Sequence, residues 1–462
     1  MLRPAVTIAR ATGAVSRISR QGGGTSLPGK LLLRLEPKAI AELGAQLERG
    51  SVVLSATNGK TTTARMIATV LAQAGVETVH NRAGANMPGG VATALLQAAP
   101  RGRIAGSRLG LFEVDEAWLG TVVSELEPHT VVLGNLFRDQ LDRYGELERL
   151  ADEWAAVVAR TAGRAAFVLN ADDPMVADLG RDAEGRARER VTYFGVNDRS
   201  QALPQLEHAF DAKHCRRCGS TYGYAAAYLG HLGDYACPNC GNQRPTPSVA
   251  ATRIELHGMS GAHVSFSTPK GNLELALPLP GLYNVYNALA ATACCLQLGI
   301  GPETIARGLE SSAAAFGRAE RIDIRGRELA ILLIKNPAGA NEVFRTLRSG
   351  GEAELDLWIT LNDGIADGRD ISWIWDADFE LLAGVARRVT CSGTRAEELA
   401  LRLKYAGLDG MDVEVAPGLE DGLDRALAAG DGRPLYALPT YTALLELQEL
   451  LAARGHARPF WE

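Results

Sequence analysis

Four of the chain's seven cysteines stand in two Cys-x-x-Cys pairs, Cys215 with Cys218 and Cys237 with Cys240, and 18 residues separate the pairs. A glycine follows each pair and permits the tight turn that aims the second sulfur. Four thiolates at this spacing are typical of a tetrahedral Zn²⁺ site and leave no position for a catalytic water. Four free thiols are the alternative, but they give no reason for the spacing. The sequence therefore predicts a structural zinc site in a reducing compartment.

A second candidate site is a phosphate-binding loop. Residues 55–63, Ser-Ala-Thr-Asn-Gly-Lys-Thr-Thr-Thr, follow an apolar run at 52–54 and precede a helical pattern. Backbone N–H groups at the start of a helix can bind phosphate, while Lys60 would reach the β- and γ-phosphates and Thr61 would hold Mg²⁺. A glycine turn without a ligand is the less favoured alternative. The predicted ATP contacts are Thr57, Asn58, Gly59, Lys60, Thr61 and Thr62.

The elements that must position these groups alternate between strand and helix patterns. The chain has 462 residues, 46% hydrophobic and 22% charged, with a net charge of −6. These values exclude a disordered chain and a strongly basic nucleic-acid coat protein. Apolar runs between helical patterns predict an α/β fold with parallel strands. The predicted domains are a basic helical segment at 1–48, an ATPase domain at 49–320 with a zinc ribbon inserted at about 205–247, and a smaller Rossmann-like domain at 321–462.

Four segments, in chain order, resemble the Mur ligase family, which includes the folylpolyglutamate synthetases. The resemblance implies an ATP-dependent carbon–nitrogen ligase with a Mur ligase-type central domain. It implies that Glu113 binds Mg²⁺ and that Asn284 and Asn287 lie on the helix beside the adenine. It also makes Arg318, ahead of the C-terminal domain, a plausible contact of phosphate or substrate. The four segments are 57–62, 112–116, 135–145 and 281–291.

Three features resemble one branch of this family, the synthetase subunits of lipid II isoglutaminyl synthases. They are the Cys₄ insertion, the short stretch of about 50 residues before the phosphate loop, and the late motifs at 335–341, 361–370 and 372–380. The resemblance implies a role in peptidoglycan synthesis. ATP would convert the α-carboxylate of D-Glu in the lipid II stem peptide into an acyl phosphate, and ammonia would then give D-isoglutamine. The implied cofactors are ATP, Mg²⁺ and Zn²⁺.

The chain offers no convincing cysteine for hydrolysing glutamine itself. Cys294 and Cys295 lie inside a helical pattern, and Cys391 ends an apolar run where burial in the core is favoured. A separate glutaminase subunit is therefore implied, and the resemblance supplies one of the GatD type. In that family an Asp of the C-terminal domain completes the partner's Cys–His pair, and the match places this role on Asp370. Taken alone, Asp370 is an ordinary helix N-cap.

Aromatic residues near Asp370 have two open interpretations. Trp373, Trp375 and Phe379 either belong to the core or form anchors of the subunit interface. Residues Arg138, Asp139 and Asp142 lie in a motif that the family places near the γ-phosphate, so they are candidates for contact with the reacting groups.

Two alternative functions stay open. One is an amino-acid-adding Mur or folylpolyglutamate-type ligase, against which the late motifs argue. The other is a nucleic-acid-dependent ATPase with a zinc ribbon, but only a modest basic patch surrounds the cysteines and no helicase-type motif follows the phosphate loop. The ribbon tyrosines would either stack bases or cover the ribbon's core. They are Tyr222, Tyr224, Tyr228 and Tyr235.

The N-terminus bears on location. The first 20 residues carry four arginines and no acid. No continuous apolar core or cleavage site follows them, and no window approaches the roughly 20 apolar residues of a membrane span. We therefore expect a cytoplasmic protein. With the implied glutaminase it would form a heterodimer, and no nucleic-acid partner is expected. Its basic first helix packs on the protein or touches the inner face of the membrane, where lipid II resides.

Overall fold

The computed structural model describes residues 2–18, 26–81, 85–139, 147–208, 210–312, 318–351, 354–408, 412–429 and 431–457. Three helices precede the first strand, α1 (Leu2–Ile18), α2 (Leu27–Leu35) and α3 (Ala39–Gly44). The part of the predicted motif at 140–145 and the side chain of Arg318 lie outside the described residues. Among the described helices, none has both the length and the apolar character that crossing a bilayer requires.

A nine-stranded sheet forms the larger unit. Its strand order is β11-β10-β9-β6-β5-β4-β1-β3-β2. The strands from β9 to β2 in this order run parallel, whereas β10 and β11 are antiparallel additions at one edge. The elements are β1 (Ser51–Ser55), α4 (Lys60–Gln73), β2 (Thr78–His80), α5 (Pro88–Ala98), β3 (Leu109–Glu113), α6 (Leu119–Leu126), β4 (Thr130–Leu133), α7 (Leu147–Thr161), β5 (Ala166–Asn170), α8 (Pro174–Ala177), β6 (Val191–Val196), β7 (Gly223–Leu229), β8 (Leu232–Ala236), β9 (Val249–Leu256), β10 (Ala262–Thr268), β11 (Gly271–Leu277), α9 (Leu282–Gln297) and α10 (Pro302–Glu310).

The central strands are buried on both faces, which explains their continuous apolar runs. In β1, Val52 and Leu54 belong to the hydrophobic cluster on the α4 and α9 side, and Val53 belongs to the cluster on the other side. This second cluster also contains buried side chains of α1, α2 and α3, so the N-terminal helices form part of the domain. The strand β7 pairs with β8 in a separate two-stranded sheet between the two cysteine pairs.

A six-stranded sheet forms the smaller unit, with strand order β12-β13-β17-β14-β15-β16. All neighbours are parallel except β12 and β13. Because β12 begins at Arg318, the predicted division at residue 320 falls inside this strand. The elements are β12 (Arg318–Ile324), β13 (Arg327–Leu332), α11 (Pro337–Ser349), β14 (Leu355–Thr360), β15 (Ala386–Ser392), α12 (Ala396–Leu403), β16 (Asp412–Val415), α13 (Leu419–Ala428), β17 (Leu435–Pro439) and α14 (Tyr441–Ala453).

Candidate active site and metal centre

The phosphate loop joins β1 to α4 at the carboxyl end of the large sheet. Gly59 has a φ of 86° and precedes the first residue of the helix. A side chain there would be both strained and obstructed, since a Cβ atom would lie 2.0 Å from Oδ1 of Asn287. The loop is held from the segment that follows β4, because the side chain of Asn135 accepts from the N–H of Asn58 at 2.9 Å and donates to its carbonyl at 3.1 Å. The structure therefore presents a fixed loop with a helix N-terminus behind it, as phosphate binding requires.

The Lys60 ammonium forms a buried ion pair with Glu116, with Nζ and Oε2 2.7 Å apart. Burial alone would lower the pKa of Lys60, but the carboxylates of Glu116, Asp115 and Glu113 together outweigh it and hold that pKa above its ordinary value. The same attraction lowers the pKa of Glu116 against the effect of its own burial. Lys60 therefore carries its charge inside the loop. Glu116 lies in the segment 112–116 that resembles the family, but nothing in its spacing indicates this ion pair.

The two predicted Mg²⁺ ligands lie together. The hydroxyl of Thr61 donates to Oε1 of Glu113 at 2.9 Å. Asn81 fixes the backbone of Glu113 at the end of β3, accepting from its N–H at 2.9 Å and donating to its carbonyl at 2.7 Å. A hydroxyl beside a carboxylate is a donor set that suits Mg²⁺, which prefers oxygen ligands and keeps several waters. These residues therefore fit the ion, and their role in binding it stays a prediction.

The two predicted adenine-side asparagines face the phosphate loop from α9. Asn287 accepts from the hydroxyl of Thr63 at 3.1 Å and donates to Oδ1 of Asn284 at 3.0 Å. Asn284 in turn donates to the carbonyl of Pro280 at 2.7 Å. Both amides are buried, so these bonds fix their orientation. Their predicted contact with a nucleotide remains a prediction.

A cleft lies beside the loop, between the two sheets. Its polar floor includes Asn58, Gly59 and Thr62 of the loop, and its walls are mainly apolar. A mainly apolar cleft with a few fixed polar groups is the common form of a small-molecule site. Among the residues that complete its walls are Leu229, Leu232, Tyr283, Tyr286, Leu332, Leu333 and Val343.

The smaller unit contributes two polar residues to this loop, at the turn between β13 and α11. The side-chain amide of Asn336 donates to Oδ1 of Asn58 at 3.0 Å, while its own oxygen caps α11 through the N–H of Gly339 at 2.9 Å. The Nζ atom of Lys335 donates to the carbonyl of Thr57 at 3.2 Å and forms an ion pair with Asp139. Both residues lie in the late motif at 335–341, whose sequence gives no sign of their contact with the phosphate loop. An Asn-Pro dipeptide is typical of a helix start, with Asn as the N-cap and Pro as the first helical residue, and could have indicated the cap.

A second cleft adjoins the first and shares Lys335 with it. Asp370 lines this cleft together with Arg138, Asp139 and Trp373. Asp370 is exposed, and its Oδ1 accepts from the N–H of Ser372 at 2.8 Å. That bond lowers the pKa of the carboxyl, which is therefore ionised. Ile371, and not Asp370, is the N-cap residue of the short helix Ser372–Trp375, so the expected N-cap is wrong by one residue, and Asp370 instead forms a turn just before that helix. The predicted role of Asp370 toward a partner remains a prediction.

The three aromatic residues near Asp370 differ in burial. Phe379 is fully buried in the core of the smaller unit, while Trp373 is half-buried. Trp375 is 49% exposed and packs edge-on against the exposed ring of Tyr405, with ring centroids 5.7 Å apart. Phe379 is therefore a core residue, and Trp375 is available to a partner.

The four predicted zinc ligands converge. All four Sγ atoms lie within 4.8 Å of one another, with Cys215 and Cys240 at 3.6 Å and Cys218 and Cys237 at 3.4 Å. A tetrahedral ion with Zn–S bonds of 2.3 Å needs sulfurs about 3.8 Å apart. Each pair also forms a tight turn in which the glycine after the second cysteine has a positive φ and donates to the carbonyl of the first cysteine, at 2.7 and 3.1 Å. The cage therefore fits Zn²⁺ in a closed, structural site.

We expect Cys218→Ser to remove bound zinc and to unfold the ribbon locally, because three thiolates hold the ion more weakly than four. Metal content measured by elemental analysis should fall from one zinc per chain towards none. Cys294→Ala is the matched control, since Cys294 is buried in α9 and takes no part in the cage. Undiminished zinc in the Cys218 variant would contradict the ligand assignment.

Comparison with known proteins covers both units. The Mur ligase middle domain family matches residues 55–295, and the MurT ligase C-terminal family matches residues 333–444. The MurT subunit of the lipid II isoglutaminyl synthase of Streptococcus pneumoniae is 33% identical over 96% of this chain and 95% of its own length. The MurT subunit of Staphylococcus aureus is 33% identical over 93% of each chain.

Among solved structures, a pseudomurein peptide ligase type C from Methanothermus fervidus shares the fold. It has a TM-score of 0.66 and 22% identity, and the match covers 88% of this chain and 79% of that one. The predicted fold class, with a Mur ligase-type central domain followed by a smaller α/β domain, is confirmed. The near full-length identity to curated relatives also confirms the predicted branch: the chain belongs to the MurT family of Mur ligase-like subunits.

Proposed function

We propose that this chain is the synthetase subunit of a lipid II isoglutaminyl synthase and acts in peptidoglycan synthesis. It amidates the α-carboxylate of D-Glu in the lipid II stem peptide, using ATP and ammonia from a partner glutaminase. The observation that carries this proposal is the likeness to MurT subunits over almost the whole chain. The paired phosphate-loop and C-terminal residues support it, since they form one polar centre between the two units.

The chemistry proceeds in two steps. A carboxylate is a poor electrophile, so an oxygen of the D-Glu α-carboxylate first attacks the γ-phosphorus of ATP and ADP leaves. The nitrogen of ammonia then attacks the acyl carbon, inorganic phosphate leaves, and the nitrogen loses a proton to give the amide. Bound Mg²⁺ supplies charge neutralisation on the phosphates, and Thr61 with Glu113 would hold it. Catalysis by the protein is mainly positioning and electrostatic stabilisation of the transferred phosphoryl group.

Lys60 has the central electrostatic role in this scheme. Its ammonium is charged, buried and held by Glu116 at 2.7 Å, so little reorganisation is needed to aim it at a phosphate oxygen. Lys335 brings a second positive charge from the C-terminal domain to the carbonyl of Thr57. The C-terminal unit thereby places a charged side chain at the proposed reaction centre.

Ammonia must come from another subunit. The described cysteines outside the zinc cage are all fully buried, and burial raises the pKa of both Cys294 and Cys391 to about 12. A buried neutral thiol cannot act as the nucleophile of a glutaminase. We therefore place the glutaminase in a partner subunit of the GatD type, whose Cys–His pair Asp370 completes as the orienting carboxylate.

Exposed apolar side chains of the C-terminal domain support such a partner surface. Ile365 is 73% exposed, Tyr405 is 70% exposed, and Trp375 lies against Tyr405. Exposed aromatic pairs such as Trp375 with Tyr405 are typical of protein–protein contacts. The cleft lined by Asp370 shares Lys335 with the nucleotide cleft, so a glutaminase docked here would release ammonia next to the proposed reaction centre.

The substrate implies contact with the membrane. On α1 and α2, Ile8 and Leu27 are each about half exposed, and the exposed bases Arg3 and Lys30 lie on the same two helices. Apolar and basic side chains together favour the surface of an anionic bilayer. We therefore propose that the enzyme works peripherally at the inner face of the membrane.

One assay tests this function. The purified chain is incubated with ATP, Mg²⁺, glutamine and lipid II, with and without the glutaminase subunit, and amidated product is measured by mass spectrometry. Amidation that requires both subunits supports the proposal, while addition of an amino acid would favour a Mur or folylpolyglutamate-type ligase. ATP turnover stimulated by nucleic acid without amidation would overturn it. Burial of Tyr222, Tyr228 and Tyr235 already argues against base stacking on the ribbon.

A further inference from the structure

The zinc ribbon reaches the nucleotide cleft. The hairpin of β7 and β8 has the cysteine cage at one end, where Tyr222 and Tyr235 pack with Cys215 and Cys237. Its other end, the hairpin tip at 229–232, lies in the hydrophobic cluster of α9. A strand of seven residues spans about 20 Å, so the hairpin connects two distant sites.

The hairpin tip forms part of the cleft wall. Leu229 and Leu232 line the cleft together with Gly59 and Thr62 of the phosphate loop, and both leucines are at least 95% buried. They pack in the same cluster as Leu282, Val285 and Tyr286 of α9, among other residues. The tip therefore contributes apolar surface at the place where a nucleotide held by the loop would extend.

Contacts fix the tip to the phosphate loop. The ring of His231 is fully buried, with its centroid 4.6 Å from that of Phe137 and its Nε2 3.4 Å from Oδ2 of Asp173. Phe137 bonds the loop directly, since its N–H donates to the hydroxyl of Thr57 at 3.0 Å. A displacement of the tip would therefore disturb Phe137 and, through it, the loop.

A second set of contacts joins the ribbon to α9 through Asp172. Arg244, which follows the last cysteine pair, donates from Nε to Oδ1 of Asp172 at 2.6 Å, and the hydroxyl of Tyr286 donates to Oδ2 at 2.7 Å. The N–H of Gly233 in β8 donates to the backbone carbonyl of Asp172 at 2.8 Å. One fully buried aspartate thus bonds the hairpin, the segment behind it and the cleft-lining helix.

We propose that the hairpin tip is a wall of the ATP site and that zinc binding and nucleotide binding are thermodynamically coupled through the hairpin. The inference rests on the proposed function only in taking ATP as the ligand of the cleft. Zinc stabilises the hairpin, and the ordered hairpin presents Leu229 and Leu232 to the nucleotide. Because coupling between two sites is reciprocal, nucleotide must stabilise bound zinc by the same factor.

The test measures binding, without the amidation reaction. The affinity of the full chain for the β,γ-imido analogue of ATP is measured by calorimetry with zinc bound and after its removal by a chelator. We expect zinc removal to weaken binding by about tenfold. In the reverse experiment, saturating analogue should raise the affinity for zinc about tenfold, measured by competition with a chelator.

Two variants distinguish a local effect of the hairpin tip on nucleotide binding from a general loss of folding. Leu229→Ala should keep one zinc per chain and weaken analogue binding several-fold. Arg199→Gln is the matched control, because Arg199 pairs with Asp234 on the exposed side of the same hairpin, and its analogue affinity should not change. If circular dichroism shows that the zinc-free protein or the Leu229→Ala variant is unfolded, the competition for zinc in the unaltered chain decides whether the two sites are coupled.

The outcomes distinguish this inference from the proposed function. The coupling alone would be overturned if neither zinc removal nor Leu229→Ala changed the affinity for the analogue, and if saturating analogue left the affinity for zinc unchanged. Failure of the zinc-loaded chain to bind the analogue at all would overturn the ATP-dependent function, and the coupling with it.

Discussion

Lys60→Met should lower amidation at least about 100-fold, with glutamine and with added ammonium salts alike. The Lys60 ammonium is the buried positive charge nearest the start of α4, and activation of the carboxylate precedes any use of nitrogen. Loss of one such stabilising group lowers kcat by about 100- to 1000-fold. Product formation with each nitrogen donor, measured by mass spectrometry at saturating ATP, checks this expectation.

Lys60→Met also breaks the ion pair with Glu116, so a second variant is needed to distinguish lost catalysis from lost stability. Removing the lysine leaves Glu116 buried without its cation, which can cost about 3–5 kcal/mol of stability. The double variant Lys60→Met with Glu116→Gln removes the uncompensated charge. It should recover thermal stability but no activity, whereas Arg65→Gln on the exposed side of α4 should retain both. Activity restored in the double variant would show that Lys60 serves only to neutralise Glu116.

Local spacing explains why the geometry of the cysteine cage and of the phosphate loop could be predicted. The cysteine pairs are close in sequence, and the glycine after each pair takes the positive φ that the turn needs. The phosphate loop is likewise a continuous segment between one strand and one helix. In both cases a few neighbouring residues contain the whole geometric requirement, so the residue types alone indicate the chemistry.

Contacts between the two units could not be predicted in this way. Asn58 and Asn336 bond across 278 residues of sequence, and Lys335 reaches Asp139 across 196. No local period or spacing encodes such a pair, because it depends on how two separately packed sheets meet. Similarly, nothing in the sequence around Leu229 and Leu232 indicates a nucleotide site, and only the fold places them beside the phosphate loop.

Asp370 shows a different limit, since one side chain satisfies two interpretations. Its bond to the N–H of Ser372 forms a turn one residue before the helix N-cap, close to the cap expected from sequence, and its exposed position at a cleft also suits a carboxylate that acts on a partner's histidine. The turn involves only residues of this chain, whereas the proposed role requires the histidine of a partner. The discriminating property is charge, because an amide can form the turn but cannot stabilise an imidazolium.

Asp370→Asn should therefore separate the two roles. Asparagine caps turns about as well as aspartate, so the turn at Ser372 and the thermal stability should be retained. If Asp370 orients and stabilises the glutaminase histidine, glutamine-dependent amidation should fall by up to about 10⁴-fold, as for loss of the carboxylate in a catalytic triad. Amidation with added ammonium salts should remain near the level of the unaltered enzyme, because the carboxylate-activating centre is intact.

The measurement compares both nitrogen donors in the assembled complex, together with glutaminase activity alone. Asp370→Ala removes both the charge and the turn acceptor, so it should lose glutamine use and also some stability. Glu397→Gln on the exposed face of α12 is a control for the loss of one negative charge from the same domain. If the Asp370→Asn variant used glutamine as fast as the unaltered enzyme, Asp370 would serve the turn alone. The third member of the partner's site would then have to be one of the other acids of the cleft that Asp370 lines. Of these, Asp376 is already paired with Arg138 and Asp367 with Thr442, so neither is as free to accept a histidine N–H as Asp370.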